Sequence, residues 1–351
     1  MKTIKGILLG LFCTLQLAQA QDPIAVAIQS KVDSVFKLNS VPGIYIASSV
    51  KGQRQFFSAG VADKKTNELF TPTTQFEIGS ISKTFTAFIL ESVLQANQIA
   101  DTSVMVQFLP DSLHNNRHIL PIQLVHLMNH TSGLPRLPEN MGIPKDRLQP
   151  YADYDLENLY LFLSKTEPKT FGKVAYSNLG AGLAGVIAEN ISGKTYEQLL
   201  FEYINNPFQL KHTGIQSAKK MPKAIGYFGN EPAAYWDMNV LVGAGGIKSD
   251  ATDLLQYLEY MATHQNQPVV TSVLSKTAKL NAQVAIAKGW HTIEQAGKTM
   301  LYWHNGGTYG FSTFAAFNPS NQHCIVVVIN AFSKNDIADR LGIEIMTRLL
   351  N

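Results

Sequence analysis

Strand-like patterning sits at the two ends of this chain, with a long helical-period stretch between them. No other feature limits the fold so strongly. Residues 43–49 and 53–59 read as two strands split by a turn at Lys51-Gly52. Near the other end, 290–295 and 299–303 flank Ala296-Gly297, and 311–317 and 324–330 flank Pro319-Ser320-Asn321. Residues 25–38 open the chain as a helix and 336–350 close it as one. The middle places helices over 120–129, 155–165, 179–191, 196–205 and 251–264. Strands at both ends need partners, so the two termini share one sheet. The expected class is α/β of the α+β kind. An antiparallel sheet, formed by 21–79 and 281–351, is flanked by helices and carries a mostly helical inserted lobe over about 80–280. A cleft between such lobes is a favoured place for catalysis. Residues 132–154, broken by Pro135, Pro138, Pro144 and Pro150, read as a functional lid or wall.

The first twenty residues are expected to stand outside the fold. Lys2 and Lys5 precede a short apolar core over 7–17, and Ala18-Gln19-Ala20 supplies small residues for a peptidase. This is the pattern of a cleaved signal peptide over 1–20. It leaves a single domain over 21–351, exported to the periplasm or secreted, with no transmembrane anchor. Loss of Lys2 and Lys5 takes the net charge from +3 to +1, too balanced for nucleic acid. Cys324 is then the sole cysteine, which excludes an intrachain disulfide and a thiolate metal cluster.

The chemistry concentrates in three short motifs. The first is Ser80-Ile81-Ser82-Lys83, at the start of a helical pattern over 84–98. Phe85, Phe88, Ile89 and Val93 give that helix one apolar stripe. Serine and lysine three apart share a helix face. An amine beside a hydroxyl can take its proton and make a nucleophile. Gly79 allows a sharp bend into the helix, and free N–H groups at a helix start favour an oxyanion. An arbitrary Ser-x-x-Lys is more often a capped helix.

The second motif is Tyr176-Ser177-Asn178. A phenol is a competent proton shuttle, and an asparagine amide both donates and accepts. Alone, it reads equally well as a core aromatic followed by a helix cap. The third is Trp303-His304-Asn305-Gly306-Gly307. Glycine on a strand lets a ligand or another backbone approach closely. His304 offers itself as a cation or donor for a substrate carboxylate. A turn with a surface histidine is the bland alternative.

Together these motifs resemble one family. Phe76-Glu77-Ile78-Gly79-Ser80-Ile81-Ser82-Lys83 is similar to the active-site signature of class C serine β-lactamases and their relatives, the penicillin-recognising serine hydrolases. Asn129-His130-Thr131-Ser132-Gly133-Leu134-Pro135 and Ala244-Gly245-Gly246-Ile247-Lys248-Ser249 look like two further family segments. The resemblance implies a β-lactamase/transpeptidase-like fold and roles for each matching residue. Ser80 would be the acylated nucleophile, and Lys83 and Tyr176 would share the base role. Asn178 would hold the substrate's side-chain amide. His304, Asn305 and Gly306 would line the cleft on a strand, and the N–H groups of Ser80 and Gly307 would form the oxyanion hole. No metal and no cofactor are implied.

The implied substrate is a β-lactam, with a D-Ala-D-Ala peptide or an ester as alternatives, because many class C members have lysine where this chain has His304. A monomer is expected. A β-lactam sensor that is acylated without turnover is the reading from another class. Gly193-Lys194-Thr195 and Gly297-Lys298-Thr299 lack the first glycine of a phosphate loop. His126 and His130, four apart on an expected helix, lack the glutamate of a zinc hydrolase and read as structural.

Overall fold

The structure, a computed structural model, describes residues 22–217 and 221–349. The leader expected over 1–20 lies outside them. The strands are β1 (Gly43–Val50), β2 (Gln53–Gly60), β3 (Phe76–Glu77), β4 (Gly226–Phe228), β5 (Glu231–Ala233), β6 (Lys248–Ser249), β7 (Ala278–Lys279), β8 (Ala285–Ile286), β9 (His291–Gln295), β10 (Lys298–Gly307), β11 (Ser312–Phe317) and β12 (Cys324–Ile329). The helices are α1 (Pro23–Asn39), α2 (Ser82–Ala96), α3 (Leu124–Met128), α4 (Leu156–Leu163), α5 (Asn178–Ser192), α6 (Tyr196–Leu200), α7 (Asn206–Phe208), α8 (Val242–Gly245), α9 (Ala251–Thr263), α10 (Pro268–Leu274) and α11 (Asn335–Glu344).

Eight strands form one antiparallel sheet in the order β2-β1-β12-β11-β10-β9-β8-β7. The two chain ends meet where β1 pairs with β12, with Ile44 opposite Ile329. Two hairpins are set by their turns. Lys51 and Gly52 have φ of 50° and 84°, and Ala296 and Gly297 have 49° and 77°. Left-handed backbone at both central positions matches the twist of the flanking strands.

Alternation along the strands divides the interior into two cores. Cys324, Val326 and Val328 face the core that holds most of the helices. Ile325, Val327 and Ile329 face the core shared with α1 and α11. A strand covered on both faces needs an unbroken apolar run, which Cys324–Ile329 supplies. Each such aliphatic side chain contributes about 2 kcal/mol on burial. In the helical middle of the chain, α9 packs directly on β1, β11 and β12.

The helix that follows Ser80 differs from its expected form. Rather than showing one apolar stripe, α2 is buried on every side from Ser82 to Leu94. It is enclosed by α5, α8 and α10. Its polar side chains are satisfied locally. Thr84 Oγ1 donates to the Ile81 carbonyl at 2.9 Å, Thr86 Oγ1 to Gly243 at 2.6 Å and Ser92 Oγ to Phe88 at 2.7 Å. Glu91 pairs with Lys288 at 2.9 Å. The helix expected over 120–129 shrinks to α3, which starts only after Gln123 has capped it. Among the described residues no helix is long and apolar enough to cross a membrane.

Candidate active site

Ser80 stands in a single 3-10 turn, Gly79–Ile81, that runs straight into α2. The bend needs Gly79, whose φ is 53°. Upstream, β3 is clamped to β6, with Phe76 opposite Ser249 and Glu77 opposite Lys248. The buried Glu77 carboxylate accepts from the Trp236 amide at 2.5 Å and from Thr308 Oγ1 at 2.8 Å. It ties two walls of the cleft to the strand that delivers the serine, a role the sequence reading missed.

Lys83 is 2% exposed. Its Nζ is hydrogen-bonded with Ser80 Oγ at 3.0 Å and donates to the Ala244 carbonyl at 2.5 Å. Burial, and secondarily the charge of Arg136, hold its pKa well below the ordinary lysine value. The shift favours the neutral amine, the form that can accept a proton from an adjacent hydroxyl. The Gly-Gly segment noted in the sequence supplies the carbonyl that aims it.

Tyr176 brings its ring to within 4.8 Å of Lys83 Nζ. Burial pushes its phenol up to about 12, although a hydrogen bond with Ser80 and the charge of Arg136 act against that rise. A phenol so raised keeps its proton at neutral pH and can act as a donor. Ser177, not Asn178, caps α5, accepting from Gly180 at 2.8 Å. That leaves the Asn178 side chain free to face the cavity, and its buried Oδ1 has no partner among the described residues. His130 lies beyond the end of α3 with φ of 63°, not on the helix with His126. Its ring sits 4.5 Å from Tyr176, and its Nδ1 accepts from the Ser177 amide at 3.3 Å. Its structural role is exercised at the site itself.

On β10 the four expected residues separate. His304, expected as an anion-binding side chain, has 0% exposure. Its Nδ1 donates to the Asn305 carbonyl at 2.6 Å. Burial first, then nearby His291 and Lys83, push its pKa well below 6.5. It is neutral and lies beneath the cleft, with its ring 5.0 Å from that of His291 and 6.2 Å from that of Tyr176. Asn305 points the other way, as strand alternation demands, and donates to Asp339 Oδ2 on α11 at 2.7 Å. Burial raises the Asp339 carboxyl to about 6. Gly306 and Gly307 do reach the site. A Cβ on Gly306 would strike the Ile78 carbonyl, and one on Gly79 would come within 2.7 Å of Gly307 N. These glycines let β10 touch the nucleophile turn, and both Ser80 and Gly307 line one cavity.

That cavity holds about 300 Å³. Its wall includes Tyr151, Trp236, Tyr309 and Phe332, aromatics from four separate segments that no local pattern marked. Trp236 sits edge-on to both Tyr151 and Tyr309, at 5.1 and 4.9 Å. Arg136 and Tyr151 come from the proline-rich stretch over 132–154, which does form a wall. A second cavity of about 620 Å³ shares Arg136 and reaches Tyr176. It is lined mainly by apolar groups such as Leu134, Leu161 and Phe162.

Fold and site together define a serine hydrolase. The chain belongs to the β-lactamase family, whose sequence pattern, described as Beta-lactamase, matches residues 28–346. A β-lactamase of Yersinia enterocolitica is 25% identical over 284 residues, covering 80% of this chain and 70% of that protein. The D-alanyl-D-alanine-carboxypeptidase/endopeptidase AmpH of Escherichia coli (strain K12) is 23% identical over 314 residues, covering 85% of this chain and 81% of that one. In fold, the chain is similar to the crystal structure of a class C β-lactamase from Rhodobacter sphaeroides. The TM-score is 0.81 at 22% identity, covering 94% of this chain and 100% of that chain.

Proposed function

We propose that this protein hydrolyses β-lactams through a covalent acyl-enzyme on Ser80. The observation that carries the reading is the buried Lys83 amine 3.0 Å from Ser80 Oγ, its pKa held well below the ordinary lysine value, beside a phenol pushed up to about 12. Lys83 takes the serine proton as Oγ attacks the lactam carbonyl. The N–H groups of Ser80 and Gly307 hold the oxyanion. The Tyr176 phenol gives its proton to the departing nitrogen and regains one from the Lys83 ammonium. Water then attacks the ester by the same route in reverse and frees Ser80. Asn178, with its unpartnered Oδ1, holds an N–H of the substrate's side-chain amide.

A D-Ala-D-Ala carboxypeptidase or an esterase is the second reading. The buried His304, its pKa held well below 6.5, favours the ester in particular, since β10 presents no cation in the cleft to the carboxylate that a β-lactam and a peptide C-terminus share. The protein acts as an exported monomer, with 21–351 working as one hydrolase unit. A substrate panel on that mature chain separates these activities: a penicillin, a cephalosporin, a D-Ala-D-Ala peptide and an aryl ester. Fast turnover of the two lactams supports the first reading. Turnover of the peptide or ester alone replaces it with the second.

A further inference from the structure

Charge in the Ser80 cleft lies away from β10. Among the described residues lining it, Arg136 alone carries a formal charge. Arg136 is exposed, and none of the ion pairs found among the described residues involves it. It is nevertheless held in place. Its guanidinium carbon sits 5.1 Å over the Tyr176 ring, a cation–π contact that holds the group against the cavity wall. Its carbonyl accepts from the amides of Asn178 and Leu179 at 3.0 and 3.3 Å, which fixes it beside the first turn of α5. It also borders the 620 Å³ cavity, where Glu139 and Glu167 are balanced by Lys165 and Lys169. An oriented guanidinium facing a cleft with no acidic side chain lacks a partner that a substrate could supply.

We propose that Arg136 is the specificity-determining residue for acidic acyl groups: it receives a carboxylate carried on the acyl side of the substrate, just beyond the amide that Asn178 holds. The placement follows from the backbone link between Arg136 and Asn178. It rests on the reading of Ser80 as nucleophile and Asn178 as the amide-binding residue. The substrate class is an acyl donor whose side chain bears a carboxylate, with the larger second cavity admitting the rest of that side chain.

Two matched pairs of compounds test this. Benzylpenicillin and α-carboxybenzylpenicillin differ only by an acyl-side carboxylate, as nitrophenyl butyrate and nitrophenyl hemisuccinate do in the main. The quantity read is the ratio of kcat/KM for the acidic member over its neutral partner. In the parent the ratio exceeds one for at least one pair. Arg136→Gln lowers it about tenfold, the worth of one charge-assisted pair, through KM of the acidic member, and Arg136→Lys recovers part of it. An effect exerted only through Lys83 or Tyr176 would change kcat of both members together and leave the ratio fixed. A fixed ratio in Arg136→Gln overturns the assignment while the Ser80 reading stands. If neither pair acylates Ser80 in the parent, with or without turnover, the Ser80 reading falls and takes the assignment with it.

Discussion

Lys83 Nζ lies 3.0 Å from Ser80 Oγ inside an enclosed pocket, and its other hydrogen bond goes to the Ala244 carbonyl, not to a carboxylate. A lysine so placed is costly to the fold and useful to the reaction. Lys83→Met removes a buried, desolvated amine from the pocket. Its stability is expected to equal or exceed the parent's by about 1 kcal/mol. Its kcat is expected to fall by about 10³-fold or more. Urea unfolding and steady-state kinetics on one preparation read both quantities. Loss of stability in parallel with loss of rate would make Lys83 a structural residue.

The pH profile should carry the signs of Lys83 and Tyr176. Lys83 is depressed from 10.5, so protonation of its amine below that shifted pKa removes the base. Tyr176 is raised to about 12 and holds its proton across the working range. The expected kcat/KM climbs with pH through the depressed lysine value. It then stays level to the alkaline limit of the fold, with no downturn near 10. Tyr176→Phe should lower kcat by about 10² to 10⁴ without moving the acid limb. A downturn near the ordinary tyrosine value would remove the phenol from its role as donor.

A further expectation concerns the buried histidines. If His304 bound a substrate carboxylate as a cation, as the sequence suggests, loss of its charge would make KM rise between about pH 5.5 and 7.5. The structure reverses this, because burial keeps His304 neutral well below 6.5. KM for carboxylate substrates should be flat over that interval. The titration appears in stability. His130, His291 and His304 all have folded pKa values below 6.5, His291 at about 4. Their unfolded counterparts protonate first as pH falls. Stability is therefore full above pH 6.5 and is lost progressively toward pH 4, with His291 alone accounting for up to about 3 kcal/mol. Thermal melts between pH 7.5 and 4 measure it. His291→Gln should flatten the slope, and an unchanged slope would contradict its depressed pKa.

Gly306→Ala tests the contact between β10 and the nucleophile turn. The added methyl would strike the Ile78 carbonyl, so one of the two segments must move. Loss of the Gly307 N–H from the oxyanion position should cost about 10² in kcat, as for a single donor, with KM little changed. A variant that folds and turns over like the parent would place the oxyanion elsewhere.

Much of this architecture was legible because its signals are local. Turn dipeptides such as Lys51-Gly52 and the unbroken apolar run of 324–329 marked the hairpins and central strand directly. The apolar period of α2 was also visible, but its complete burial was not. Thr84, Thr86 and Ser92 read as solvent-facing residues until their hydroxyls are seen bonded to backbone carbonyls. On β10 the motif identified the right strand, and only the register showed that His304 turns beneath the cleft while Asn305 turns to α11. Arg136, Trp236 and Tyr309 carry no shared pattern, since they meet only after folding. Glu77 was in view within the serine motif, and a charged residue between Phe76 and Ile78 was the one clue to its buried role.

The most direct measurement is intact-protein mass spectrometry of 21–351 after rapid mixing with benzylpenicillin, followed by peptide mapping. A mass gain equal to the whole penicillin, on the peptide containing Ser80, should appear within the first turnover and decay as product forms. Ser80→Ala should fold normally, show no gain and lose at least about 10⁴ in kcat. A gain that persists would make the protein a sensor. Hydrolysis without any adduct on Ser80, or undiminished in Ser80→Ala, would contradict the account.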